Sequence, residues 1–133
     1  MTPTDSEAEK ITINVMPVDL GKMDLLVDQG MFSTRSDFIR TAIRRLLDEN
    51  APVVQEAITR TFLNVGIVVF NQKDLAARQK KGERLKIRSV GRLILRPDVQ
   101  PDTADAVIEE IIVKGSIKMS LAVRERLADR INS

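Results

Sequence analysis

The sequence predicts an α+β protein in two parts, with one β-segment and two amphipathic helices ahead of a set of strand and helix repeats. Three patterns support this class: alternation over residues 10–16, helical spacing over 17–50, and glycines that recur after residue 60. With 133 residues and 43% hydrophobic content, the chain suffices for one ordinary domain or two small ones. We divide it into a flexible tail (1–9), a first domain (10–50) and a repeat domain (51–133).

The first structured element is predicted over residues 10–16. Residues 1–9 are polar and acidic without periodicity, which is typical of a flexible tail. Beyond them two sets of side chains alternate, as on the opposite faces of a half-buried strand. The apolar set is Ile11, Ile13 and Val15, and the polar set is Lys10, Thr12 and Asn14.

Two amphipathic helices are predicted next. Pro17 suits the first turn of a helix, and Gly30 suits the position just after its end. Ser33 is predicted as the N-cap of a second helix of about 16 residues, which Pro52 closes or kinks near residue 51. The apolar positions are Leu20, Met23, Leu26 and Val27 in the first helix, and Phe38, Ile39, Ala42, Ile43, Leu46 and Leu47 in the second.

The second half contains a degenerate repeat. Gly66, Gly91 and Gly115 begin similar apolar segments 25 and then 24 residues apart, each with β-rich residues before it and a helix-like opening after it. The unit of strand, glycine bend, strand and helix predicts a small α/β solenoid-like domain of two to three repeats of about 25 residues. We expect the first domain, the last helix (Leu121 to Arg130) or another subunit to cover its ends. The alternative is an ordinary small α/β domain whose glycines coincide.

The region from Lys10 to Asn50 resembles the ribbon-helix-helix family, of the CopG, Arc and MetJ type. The resemblance rests on the β-segment and on a run of the form Gly-x-x-Ser-x-x-Ser-x-Phe-Ile-Arg-x-Ala-Ile that begins at Gly30. That run combines a helix stop, an N-cap and apolar periodicity in one register. The resemblance implies a homodimer that binds double-stranded DNA.

The family fold implies a dimer core. About 40 residues cannot bury enough apolar surface alone, so two chains intertwine, pair their strands into an antiparallel ribbon and pack four helices beneath it. Lys10, Thr12 and Asn14 then project from the opposite face, where a two-stranded ribbon fits the major groove and contacts base edges. The expected dimer core comprises Ile11, Ile13, Val15, Phe38, Ile39, Ala42, Ile43 and Leu46.

Contacts to the DNA backbone are expected from two regions. The N-terminus of the second helix offers unpaired N–H groups, so Ser33, Thr34 and Arg35 are the candidate phosphate contacts, whereas Arg40, Arg44 and Arg45 fit a solvated helix face better. Residues 51–97 carry 10 basic and 3 acidic side chains. Lys80, Lys81 and Arg84 from this segment are additional phosphate candidates, and a solvated repeat face is the equal alternative.

Composition limits the other functions. The chain has no His and no Cys, so it lacks the usual metal ligands, the usual general base and a thiol nucleophile, and we expect neither an enzyme nor a cofactor. It also has no apolar run of membrane-spanning length and no leader pattern. These features predict a cytoplasmic, nucleoid-associated protein without membrane partners.

Three functions remain as hypotheses. The first is a sequence-specific transcriptional regulator, more specifically a repressor, whose repeat domain assembles dimers into tetramers or larger species. The second is an architectural or scaffold DNA-binding protein that oligomerises through its repeats. The third is an antitoxin whose second half binds a toxin partner. It is disfavoured because residues 51–133 have the pattern of a folded domain rather than a short disordered tail.

Overall fold

The computed structural model describes Asp5 and residues 7–132, and it contains both helices and strands, as expected for an α+β chain. Two compact units are present. One runs from Lys10 to Glu56, and the other contains the chain from Ala57 onward together with residues before Lys10, such as Asp5 and Glu9. The first unit thus extends beyond the predicted boundary near residue 51, because Pro52 lies in the first turn of a further helix, where proline is tolerated.

Three helices follow one another at the start of the chain: α1 (Pro17–Asp28), α2 (Arg35–Glu49) and α3 (Ala51–Thr61). The first helix ends as predicted at Gly30, which has a positive φ of 79°. Its N–H donates to the carbonyl of Val27, and the N–H of Met31 donates to the carbonyl of Leu26. These two bonds form a Schellman motif, which satisfies carbonyl groups at the helix end.

Residues 7–16 form neither a helix nor a strand in the single chain. The strand predicted over residues 10–16 is therefore absent from the single chain. The physical reason is that a strand exists only as one member of a ladder, since its N–H and C=O groups need a second strand. No described residue of the same chain provides that strand.

The second unit is built on a parallel sheet with the order β1-β2-β3-β4. The strands are β1 (Asn64–Phe70), β2 (Leu85–Leu95), β3 (Ile108–Lys118) and the short β4 (Ile131–Asn132). Helices connect them, as parallel pairing requires: α4 (Gln72–Lys80), α5 (Pro101–Val107) and α6 (Leu121–Arg126), the last followed by a 3-10 turn over Ala128–Arg130.

The three glycines that define the sequence repeat lie side by side in this sheet. Gly66 pairs with Gly91, and Gly91 pairs with Gly115. Their φ angles are 130°, 131° and 129°, and a Cβ at Gly91 would lie 2.1 Å from the carbonyl oxygen of Gly66. Each glycine lies within one continuous strand, so the predicted separation into two strands around a glycine bend is wrong.

The apolar core lies in the second unit, where the sheet packs against its helices. The fully buried side chains there include Leu75, Leu93, Leu95, Val107, Ile108, Ile111, Val123 and Leu127. In the unit from Lys10 to Glu56, Met23 is the one buried hydrophobic residue among those described. The two units therefore differ sharply in how much apolar surface each buries within one chain.

Two residues of the predicted flexible tail are held in place. Asp5 is only 2% exposed and accepts a hydrogen bond of 2.6 Å from Nη2 of Arg96. Glu9 accepts a bond of 2.6 Å from Nη2 of Arg92. Arg92 belongs to β2 and Arg96 directly follows it, so these two tail residues are bound to the sheet and its end. Residues 1–4 and Ser6, which share the flexible-tail prediction, lie outside the described residues.

Candidate nucleic-acid interface

The proposed base-reading side chains lie in the segment before α1, which forms neither a helix nor a strand in the single chain. Lys10, Thr12 and Asn14 are exposed in the single chain. The alternating apolar residues are exposed as well, with Ile11 at 73% and Ile13 at 65%. Successive side chains of a strand point to opposite sides, so a strand formed by this segment would have one polar and one aliphatic face.

The N-terminus of α2 is capped by Thr34 rather than by Ser33, which corrects the sequence-based assignment. The Thr34 hydroxyl accepts a hydrogen bond of 3.0 Å from the N–H of Asp37, the third residue of the helix. Ser33 instead donates both its N–H and its hydroxyl to Asp37 Oδ2, at 3.0 and 3.2 Å. Thr34 can act as the cap because its backbone is extended, with φ −149° and ψ 169°.

This cap leaves donors available at the start of the helix. Within the described chain, the N–H groups of Arg35 and Ser36 in the first turn have no hydrogen-bond partner. The positive end of the helix dipole lies at the same place. The backbone N–H groups of Arg35 and Ser36 can therefore donate hydrogen bonds to an anionic oxygen. The donors of Ser33 already bind the Asp37 carboxylate.

Arg35 has a carboxylate partner within the same unit. Its Nε donates a hydrogen bond of 2.8 Å to Oδ1 of Asp24, and its Nη2 donates one of 2.8 Å to Oδ2. This bidentate contact links α1 to α2. The hydrogen bond from Arg35 lowers the pKa of Asp24 below its usual value, and Asp24 raises the pKa of Arg35 in return. Phosphate would have to compete with Asp24 for this guanidinium.

The residues predicted to form a dimer core leave an apolar surface uncovered in the single chain. Phe38 and Ile39 are half-buried, whereas Ala42, Ile43 and Leu46 on the same helix are exposed. Phe38 packs edge-to-face on Phe32 with ring centroids 5.0 Å apart. A groove of about 250 Å³ lies beside this pair, lined by Phe32, Phe38, Thr41, Ala42, Arg45, Leu46 and Glu49.

Comparison with known proteins adds one decisive observation. The model of the ribbon-helix-helix transcriptional regulator family matches residues 6–124. The chain belongs to this family. No curated protein and no solved structure matches the chain.

The ribbon-helix-helix family match extends well beyond the region that carries the resemblance in the sequence. It includes the whole unit from Lys10 to Glu56 and continues through β1, β2 and β3 into α6. Regulators of this family bind DNA and generally form dimers, and they are not ordinarily enzymes. The strands β1 to β3 and the helices between them are therefore part of the family pattern.

In the basic segment of this ribbon-helix-helix protein, residues 51–97, some cations form ion pairs with described residues and others do not. Arg78 lies 3.6 Å from Glu83 and over the ring of Phe70, and Arg88 contacts Glu110 at 3.0 Å. Arg92 contacts Glu9 and Arg96 contacts Asp5, two acidic residues of the tail. The candidates Lys80, Lys81 and Arg84 are exposed and form no ion pair with any described residue. Arg40, Arg44 and Arg45 are exposed in the same way on α2.

Sequence reasoning missed two acidic residues of the interface. Asp24 binds Arg35, and Asp37 binds Ser33. The position of Asp37 three residues after Thr34 is the signal that identifies the cap. Asp24 and Arg35 lie on different helices, so no spacing rule pairs them.

No group of metal-ligating side chains occurs in the described part of the chain. The described helices also include none with the length and apolar content needed to cross a membrane.

Proposed function

We propose that this protein is a sequence-specific repressor that binds double-stranded operator DNA as an intertwined dimer. In this proposal, residues 10–16 of two chains pair as an antiparallel ribbon and enter the major groove. Lys10, Thr12 and Asn14 from each chain contact base edges. The site of action is nucleoid DNA in the cytoplasm.

The observation that carries the proposal is the uncovered apolar surface between Lys10 and Glu56. Ile11, Ile13, Ile43 and Leu46 are largely exposed, and the described residues of this unit bury only Met23. A unit that buries so little cannot offset the loss of conformational entropy on folding. Association with a second copy supplies the missing burial, and it also provides the strand partner for residues 10–16.

The chemistry of the polar face supports base reading. The ammonium group of Lys10 can donate to O6 or N7 of guanine, and the amide of Asn14 can form two hydrogen bonds with adenine. Thr12 offers a hydroxyl and a methyl group, which suit a base edge or the methyl of thymine. When Ile11 and Ile13 face the dimer core, these three side chains must face outward.

Phosphate contacts at α2 would fix the dimer on the duplex. The N–H groups of Arg35 and Ser36, which no described residue accepts, lie at the positive end of the helix, which suits a phosphate oxygen. Ser33, Thr34 and the Arg35 side chain are proposed to line this position. Contacts of this kind set register and orientation, whereas the ribbon determines sequence preference.

The second unit is proposed to act as a short solenoid-like assembly domain that joins dimers. Its parallel strands carry Gly66, Gly91 and Gly115 in one register, which supports a repeated structural unit. A few stacked repeats leave an end of the sheet without a partner. Assembly through that end would place several dimers on neighbouring operator sites and make binding cooperative.

A second candidate function is an architectural DNA-binding role. The unpaired cations Lys80, Lys81 and Arg84 favour it, because exposed cations bind phosphates regardless of sequence.

Footprinting on the DNA upstream of the protein's own gene, at physiological salt, distinguishes the two functions. A repressor protects a discrete site and retains that protection when salt is raised moderately. Uniform coverage that disappears with added salt would contradict the repressor proposal and support the architectural one.

A further inference from the structure

The outer edge of β1 is open and carries no charge. The strand reads Asn-Val-Gly-Ile-Val-Val-Phe from Asn64 to Phe70, and among the described residues it pairs only with β2, on its inner side. Natural proteins usually protect a free strand edge with lysine, proline or inward-pointing charges, because unpaired N–H and C=O groups attract another strand. β1 has none of these protections.

The residues at the start of this edge are also apolar and exposed. Leu63 is 73% exposed and Val65 is 66% exposed. Together with the charge-free backbone they form what we call the β1 edge, residues 63–70. An exposed edge of this composition is a template for pairing with another strand.

Gly66 keeps the β1 edge accessible. At Gly91 and Gly115, a Cβ would point within the sheet toward the preceding strand and collide with its carbonyl oxygen at 2.1 and 1.9 Å. At Gly66, with nearly the same φ, a Cβ would meet no described atom within 4 Å. The equivalent direction at Gly66 therefore leads out across the free edge. Glycine leaves that space open for the backbone of a neighbouring strand.

The opposite side of the sheet is protected in a way that β1 is not. β4 pairs with only Ile111 and Ile112 of β3, so much of that edge is also unpaired within the described chain. However, β3 carries Glu109, Glu110, Lys114 and Lys118. These charges disfavour strand addition there. A contact between β1 of one copy and β3 of the next would also be open-ended and would produce fibres.

We propose that the β1 edge pairs antiparallel with the β1 edge of a second copy of this chain, across a two-fold axis. The same charge-free surface is then used on both copies, and the contact closes on itself. This inference rests on the proposed function for its role, since it specifies the surface through which dimers assemble. Its geometry does not depend on DNA binding.

Cysteine cross-linking of the full-length protein tests the pairing, because the chain has no Cys of its own. Asn64→Cys, Val65→Cys, Ile67→Cys and Val68→Cys are made as single variants and treated with a mild oxidant. A two-fold strand pair brings the residues near its axis within disulfide distance. We expect a two-copy disulfide product from at least one variant. Lys114→Cys, an exposed residue of β3, is the control and should give none.

A charge on the edge provides the second measurement. Val65→Lys added to the best cross-linking variant among Asn64→Cys, Ile67→Cys and Val68→Cys should abolish the product, and Val65→Thr should preserve it, because threonine fits a strand edge whereas lysine blocks it. Circular dichroism verifies that each variant is folded. The proposal is overturned if folded β1 variants cross-link no more than Lys114→Cys, or if Val65→Lys leaves the product unchanged. Failure of the repressor proposal would appear separately, as a wild-type footprint without a discrete site.

Discussion

The Arg35 guanidinium and the Asp24 carboxylate form a bidentate pair, with two hydrogen bonds of 2.8 Å that join α2 to α1. The pair lies at the helix start that is proposed to face phosphate. A carboxylate at this place has two effects: it orients Arg35, and it competes with DNA for the same donors. The pair is exposed, so the contact adds little to folding stability and its main effect concerns binding.

Replacing Asp24 should therefore strengthen DNA binding. In Asp24→Asn the guanidinium loses its charged partner and becomes free to contact a phosphate. We expect higher affinity for non-specific DNA. The slope of log affinity against log salt concentration should become more negative by about one, because one more counterion is released on binding. Fluorescence anisotropy at several salt concentrations measures both quantities. Asp28→Asn, which removes one charge from the same helix without touching Arg35, should leave the salt slope unchanged. Equal slopes in both variants would refute the competition.

Asn14→Ala should impair recognition of sequence while leaving general affinity intact. Loss of a bidentate contact to adenine costs about 1–3 kcal/mol at the cognate base pair. Anisotropy titrations with operator DNA and with scrambled DNA of equal length give the two affinities. Gln29→Ala removes an amide from the opposite end of α1 and serves as the control. If Asn14→Ala binds both DNAs as the wild type does, Asn14 does not read bases.

How much of this structure the sequence predicts depends on the range of the interactions involved. Gly30 and the apolar spacing of α1 and α2 are local features, and the helices follow from them. The recurrence of Gly66, Gly91 and Gly115 also anticipates their alignment, since repeats of equal length place equivalent residues side by side in a parallel sheet.

The long-range and intermolecular contacts are beyond such patterns. Arg96 and Asp5 are 91 positions apart, and nothing in their local sequence marks them as partners. The capping error arose from a choice between adjacent hydroxyl residues, Ser33 and Thr34, which backbone conformation decides. The β-segment over residues 10–16 poses a different problem, because its expected partner is a second chain.

Gly91→Ala should destabilise the second unit more than Gly66→Ala does. Both substitutions place a side chain at a φ near 130°, a backbone strain that costs about 1–3 kcal/mol. Only Gly91→Ala adds a collision, with a Cβ at 2.1 Å from the Gly66 carbonyl oxygen, whereas Gly66→Ala meets open space in the chain. Urea unfolding followed by circular dichroism measures how much each substitution lowers the free energy of unfolding. Equal losses would mean that the close strand approach at Gly91 carries no additional cost.

Acid should weaken the link between α5 and the last helices. Asp105 accepts a hydrogen bond of 3.1 Å from Nε of Arg126 and another from Arg130, and these contacts lower its pKa in the folded protein. Because the folded pKa lies below the unfolded one, the carboxylate stabilises the fold above the unfolded pKa of about 3.9. That contribution is lost as the pH falls through the folded pKa.

The urea midpoint should accordingly decrease as the pH is lowered below about 4, and part of the decrease should be absent in Asp105→Asn. Asp129 lies on the exposed 3-10 turn and forms no ion pair with any described residue. In Asp129→Asn the urea midpoint should therefore depend on pH as it does in the wild type. Since the ion pairs are partly exposed, added salt should reduce the difference between the wild type and Asp105→Asn. If the urea midpoint of Asp105→Asn falls with pH as steeply as that of the wild type, other carboxylates cause the acid sensitivity.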